Sequence, residues 1–130
     1  MTAMKILVVE HSELIRIRLA RQIGTILGVN QVIAALDRVQ AQRLFTEMQP
    51  ALIVLDLHLP DGDSVPLIPQ FKSKNKDLKI AVLTNDATDY NRQRCLRAGA
   101  GWFFDKSTEF EQLLEQLRRL SDPTTTRRAP

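Results

Sequence analysis

Five short apolar runs punctuate the chain, at residues 5–9 (KILVV), 31–35 (QVIAA), 51–55 (ALIVL), 79–83 (KIAVL) and, shortest of all, 101–104 (GWFF). A strand with one wet face alternates apolar and polar positions. Near-continuous apolar runs therefore predict strands covered on both faces. Between the runs the period changes to that of a helix. Ile15, Leu19, Ile23, Ile26 and Leu27 share one helical face, as do Ala41, Leu44, Phe45 and Met48. Phe110, Leu113, Leu114, Leu117 and Leu120 recur at spacings of three and four, and Thr108 and Glu111 stand at capping-box spacing, which predicts a helix start near residue 109. Residues 88–98 predict a helix with an Arg-rich outer face (Arg92, Arg94, Arg97). Residues 63–75 predict a short or distorted one, because Pro66 suits a first turn but Pro69 removes a backbone donor. Strand and helix thus alternate five times, the pattern of an α/β domain whose parallel sheet is covered on both faces.

At 130 residues, 44% hydrophobic and 25% charged, the chain has the size and balance of one globular domain. No apolar run approaches the ~18 residues of a membrane span, and no signal-peptide cleavage pattern opens the chain. Cys95, the single cysteine, has no partner for an internal disulfide and fits a reducing cytoplasm. Its place beside Leu96 predicts a small core hydrophobe. A net charge of +3 hints at nucleic acid, but 18 basic residues face 15 acidic ones, and Arg127 and Arg128 lie in a polar stretch at 121–130. With few aromatics for base stacking, the excess reads as solvated surface, so no direct contact with nucleic acid and none with a membrane is expected. The organisation expected is one domain over 1–120, then a tail or interdomain linker over 121–130.

In open parallel sheets ligands gather at the carboxyl ends of the strands. There the chain places Glu10, His11 and Ser12 after the first run, and Asp56, Leu57 and His58 after the third. Thr84, Asn85 and Asp86 follow the fourth, and Asp105, Lys106 and Ser107 the fifth. Singly, each is a turn former, a cap or a surface charge. Together they suit phosphorylation of a carboxylate: Asp56 as nucleophile, acidic neighbours for a divalent cation, Thr84 and Lys106 for phosphoryl oxygens.

The opening KILVVEHSELIR, the phrase LIVLDLHLPDGD, the segment AVLTND and the run RAGAGWFFDKS resemble the receiver domains of two-component response regulators, over residues 5–120. The resemblance implies a doubly wound, flavodoxin-like five-stranded parallel sheet of order 2-1-3-4-5. It implies that Asp56 is the phosphoacceptor, served by a histidine kinase or phosphotransfer protein. It further assigns the hydroxyl and lysine roles to Thr84 and Lys106 and the switch aromatic to Phe103, which would swing inward on phosphorylation. The metal set implied is Glu10, His11, Asp56 and the backbone carbonyl of His58, with Mg²⁺ as the family's ion and Mn²⁺ as an alternative. A downstream partner, an output domain or a second copy would dock on residues 88–120, with Arg94 and Arg97 as candidates.

Three positions depart from the pattern. Glu10-His11 replaces two adjacent acids, and imidazole suits transition metals better than Mg²⁺. Ser107 stands where the family commonly has a proline after a cis bond, so a trans bond is expected. Asn85 is bulkier than the usual small residue and narrows access to Asp56. These departures leave a second reading open, a degenerate receiver that binds partners without phosphorylation. His11 with Asp56 as a transition-metal or catalytic site is set against a simple hydrogen bond from His11 to its neighbours. A nucleotide- or flavin-binding enzyme is disfavoured, since the first loop reads EHSE and has no glycine cradle.

Overall fold

The structure, a computed structural model, describes residues 4–121. In chain order the elements are β1 (Met4–Val9), α1 (Glu13–Gly24), β2 (Val29–Ala35), α2 (Arg38–Met48), β3 (Leu52–Leu55), β4 (His58–Leu59), β5 (Gly62–Asp63), α3 (Leu67–Lys74), β6 (Lys79–Thr84), α4 (Asp89–Ala98), β7 (Trp102–Asp105) and α5 (Phe110–Ser121). The five longer strands form one parallel sheet of order β2-β1-β3-β6-β7. Setting aside the two-residue strands β4 and β5, this is the order 2-1-3-4-5.

Strand alternation splits the apolar runs between two cores. Ile6, Val8, Leu52, Val54, Ala81 and Leu83 meet Leu19 and Ile23 of α1 and Leu113, Leu114 and Leu117 of α5. Leu7, Val9, Ile53, Leu55, Ile80 and Val82 turn the other way, toward α2, α3 and α4. Each central strand is sealed on both sides, which is why its sequence shows no polar alternation. Cys95 is fully buried in the second core, and burial pushes its thiol up to about 11. That is the inert core thiol expected of it.

Four expectations are corrected. Leu27 is 79% exposed, because α1 ends at Gly24 and the next turn rotates Leu27 off the buried face. Leu96, beside Cys95, is likewise exposed. Of the two alternatives for α3 the short one holds, at 8 residues, and the distorted one is corrected: Pro69 is the third residue of that helix, where backbone donors lack an intrahelical acceptor anyway. At the start of α5, Asp105 and Glu109 bond reciprocally, backbone N–H to carbonyl and backbone N–H to Oε1, in place of the Thr108–Glu111 box. The segment after β3 also holds an unforeseen hairpin. β4 and β5 pair antiparallel around Pro60-Asp61, and Gly62 takes a positive φ of 130° that a side chain would strain. The expected tail at 121–130 lies, beyond Ser121, outside the described residues.

Candidate functional site

Strand register builds the site. Val9, Leu55 and Val82 lie in one cross-strand row, so Glu10 and Asp56 emerge together one residue beyond it. The Asp56 amide donates to the Val9 carbonyl at 3.1 Å, which fixes the two loops side by side. Thr84 pairs with Asp105, and the Lys106 amide donates to the Thr84 carbonyl at 2.9 Å, bringing Lys106 over the same edge.

The Lys106 ammonium stands 2.8 Å from Glu10 Oε1 and 2.8 Å from Asp56 Oδ2. All three side chains are nearly buried, with 7%, 4% and 11% of their surface exposed. Burial works against the charge on Lys106, but its bonds to Asp56 and Glu10 outweigh that and hold the ammonium above its ordinary range. The second Glu10 oxygen accepts from the Ser12 amide at 2.9 Å. Asp56 is held from behind by Ser64, a fully buried residue whose hydroxyl donates to the Asp56 carbonyl. Thr84 is buried, and its hydroxyl oxygen accepts from the Asp86 amide at 3.1 Å. Asp56, Thr84 and Lys106, with His58, Asn85 and Asp86, line one open cleft of about 410 Å³. Its chemistry is a carboxylate with an ammonium on one oxygen and the other facing a space large enough for a phosphoryl group.

The remaining expected residues fall elsewhere. His11 is exposed, and among the described residues its ring has no hydrogen-bond partner; only its carbonyl is used, by Arg16 at 3.1 Å. The expected bond from His11 to its neighbours is therefore not formed. His58 opens β4 and its Nε2 meets Asp86 Oδ2 at 2.7 Å across the cleft mouth. Phe103 is already 4% exposed, with the Arg92 guanidinium 4.9 Å above its ring. The inward swing expected of it has no outward position to start from here. The Lys106–Ser107 bond is trans, and Ser107 is fastened by its amide to Asp105 Oδ1 and by its hydroxyl to Asn85 Oδ1.

A metal finds a poor donor set here. Glu10 spends one oxygen on Lys106 and the other on Ser12, and Asp56 spends one on Lys106. Among the described residues no three His, Cys, Asp or Glu side chains form a metal-holding group. These residues do not fit a resident Mg²⁺, which asks for hard oxygen ligands in near-octahedral array.

Contacts that sequence reasoning missed surround the cleft. Arg94 Nη1 binds Asp63 Oδ2 at 3.0 Å, while Nε and Nη2 reach Asn91 Oδ1. The Asn91 amide then donates to the Asp86 carbonyl at 2.9 Å. With His58–Asp86 and the His58–Asp63 strand pair this closes a polar ring between the β4–β5 hairpin and the first turns of α4. On the other side Asp61 accepts from the Arg38 and Val39 amides at the start of α2. Of the three arginines expected on the outer face of α4, Arg97 has no side-chain partner among the described residues, whereas Arg92 and Arg94 turn onto Phe103 and Asp63. The cue in the sequence was Asp61-Gly62-Asp63, a turn signature between apolar residues.

Comparison with known proteins agrees with this geometry. Residues 6–118 match the family of response regulator receiver domains. The virulence transcriptional regulatory protein PhoP of Shigella flexneri is 32% identical over 117 residues, covering 90% of this chain and 52% of that protein. The chain thus spans about half the length of the curated relatives it matches. The signal receiver domain of a DNA-binding response regulator (merR) from Colwellia psychrerythraea 34H superposes with a TM-score of 0.83 at 22% identity, over 90% of this chain and 97% of that one. A Burkholderia pseudomallei response regulator, solved with a phosphorylated aspartic acid, calcium ion and citrate, superposes with a TM-score of 0.79 at 24% identity, over 95% and 71%. The chain belongs to the response regulator receiver domain family.

Proposed function

We propose that this receiver domain is a phosphoacceptor, phosphorylated on Asp56 by a histidine kinase or phosphotransfer protein of a two-component system in the cytoplasm. The observation that supports it best is the Lys106 ammonium on one Asp56 oxygen at the floor of an open cleft that also reaches Thr84. The free Asp56 oxygen, Oδ1, attacks phosphorus in line. The P–N bond of the phosphohistidine breaks, and its electron pair returns to the imidazole, which takes a proton from solvent. Lys106 offsets the charge gathering on the phosphoryl oxygens. Thr84 then gives up its contact with Asp86 and donates its hydroxyl to the new phosphoryl group. That displaces the loop into α4, whose exposed Tyr90, Leu96 and Arg97 face a downstream partner, an output domain or a second copy. Because the chain spans half of its relatives, any contact with DNA is assigned to a part outside this domain.

A second reading keeps the fold without the chemistry. The Glu10-His11 pair favours it, as a scaffold has no need of a metal. Intact-mass analysis after incubation with a small phosphodonor such as acetyl phosphate separates the two. The expected result is one phosphoryl group on the wild type and none on Asp56→Asn. An unmodified wild type, under every cation tried, leaves only the scaffold.

A further inference from the structure

We propose that Lys106, rather than a divalent cation, is the resident countercharge of the acceptor pocket, and that His11 is the reason the domain binds Mg²⁺ and Mn²⁺ weakly. The departure point is the loop after β1. A carboxylate at position 11 could turn toward Asp56 and add a second hard oxygen, but this chain carries an exposed imidazole there. Glu10, one methylene longer than aspartate, instead reaches the Lys106 ammonium at 2.8 Å and turns its other oxygen back to the Ser12 amide. Both buried carboxylates are thereby joined to the same ammonium, at equal distances. An entering dication would have to displace that ammonium from a site where it makes two charge-assisted bonds. With the ammonium in place it finds one uncommitted carboxylate oxygen, Asp56 Oδ1. Hydrated Mg²⁺, which sheds water reluctantly, gains too little there.

The arrangement also leaves the ammonium where charge develops when Asp56 is phosphorylated, so this step can run without a metal. That consequence rests on Asp56 being the acceptor; the metal affinity itself does not.

Mn²⁺ is titrated into the full chain and free Mn²⁺ is followed by its electron paramagnetic resonance signal, with Mg²⁺ as competitor. His11→Asp, a change at an exposed position, is expected to tighten binding about tenfold or more, since ligand charge tunes affinity over decades. Equal affinities in wild type and His11→Asp, whether tight or weak, overturn the inference. As a second arm, Mn²⁺ should raise the thermal midpoint of Lys106→Gln, whose carboxylates are freed, and leave that of the wild type where it was. A wild-type midpoint that rises as far overturns it too. Acetyl phosphate should modify the wild type at the same rate in EDTA as in Mg²⁺, and a rate that collapses in EDTA counts against the inference. If the wild type is never modified at all, the acceptor reading fails, and the Mn²⁺ titration still judges the metal.

Discussion

Two charge clusters meet around the Asp56 cleft, and distance alone would rank them wrongly. In the inner one Lys106 lies 2.8 Å from each of two carboxylates; in the outer one His58 lies closer still to Asp86, at 2.7 Å. Water separates the cases. The inner side chains are 4–11% exposed, whereas His58 and Asp86 are 62% and 44% exposed and Arg94 and Asp63 are 26% and 43%. Exposed pairs gain little, because solvent screens them and holding two side chains still costs entropy. Buried pairs are different in kind. Their attraction is offset by desolvation, yet removing one partner strands the other's charge. The inner cluster is therefore a constraint on what can occupy the pocket, and the outer ring is a set of weak ties between elements.

The largest effect expected from this contrast is at Lys106. Lys106→Met leaves Glu10 and Asp56 buried side by side without a countercharge, at a cost of about 3–5 kcal/mol. Urea unfolding near neutral pH measures it. A loss of under about 1 kcal/mol would put the inner cluster in the class of surface pairs and erase the contrast. The pH dependence carries a sign. The ammonium is held above its ordinary value, so its contribution is complete below the unfolded lysine value of about 10.4. It is lost as pH rises through the higher native value. The gap in stability between wild type and Lys106→Met should accordingly close only in that alkaline range.

A smaller effect is expected in the outer ring. Arg94 and Asp63 tie α4 to the hairpin, and burial of Asp63 is outweighed by the Arg94 bond, which holds its carboxyl below the usual range. A double-mutant cycle over Asp63→Ala and Arg94→Ala should give a coupling of about 0.5 kcal/mol. Raising the salt concentration should shrink it. A salt-insensitive coupling of about 2 kcal/mol or more would mean that the ring behaves like the buried cluster.

The difference between the clusters also separates what the chain spells out from what it hides. The sheet was legible because doubly covered strands such as LVV in β1 and LIVL in β3 have no polar alternation to confuse them. Asp56, Thr84 and Lys106 were legible as strand-end residues, because parallel register converts the last position of a strand, or the one beyond it, into a place on one edge. Their meeting is a consequence of topology. The outer ring was not legible. Asp63, Asp86 and Arg94 are charged residues of ordinary loops and helix faces, and nothing in their spacing says that Arg94 reaches across 31 positions to Asp63. The hairpin itself is two residues per strand, too short for any period to register. His11 shows the converse error. It stood beside Asp56 in the expected ligand set, but its imidazole is exposed and has no hydrogen-bond partner among the described residues.

The smallest effect expected is at His58, and it tests whether an exposed pair at short distance does anything. Asp86 is held below the ordinary carboxylate value, first by the His58 hydrogen bond and then by the Asn91 side chain and the charges of His58 and Arg94. A group with a lowered native pKa contributes stability above its unfolded value, about 3.9, and loses it as pH falls through the native one. That contribution is in place near neutrality, but both side chains are exposed and screened, so replacing His58 with alanine should cost little there. The Asp86 carboxyl, followed by carbon-13 NMR from acid to neutral pH, should titrate nearer its ordinary value in His58→Ala than in the wild type. If it does not move, Asn91 and Arg94 hold Asp86 by themselves, and the short contact across the cleft mouth is geometry without energy. If it moves while Arg94→Ala leaves it in place, the ring divides into two independent ties. The hairpin is then fastened to the loop after β6 by one and to α4 by the other.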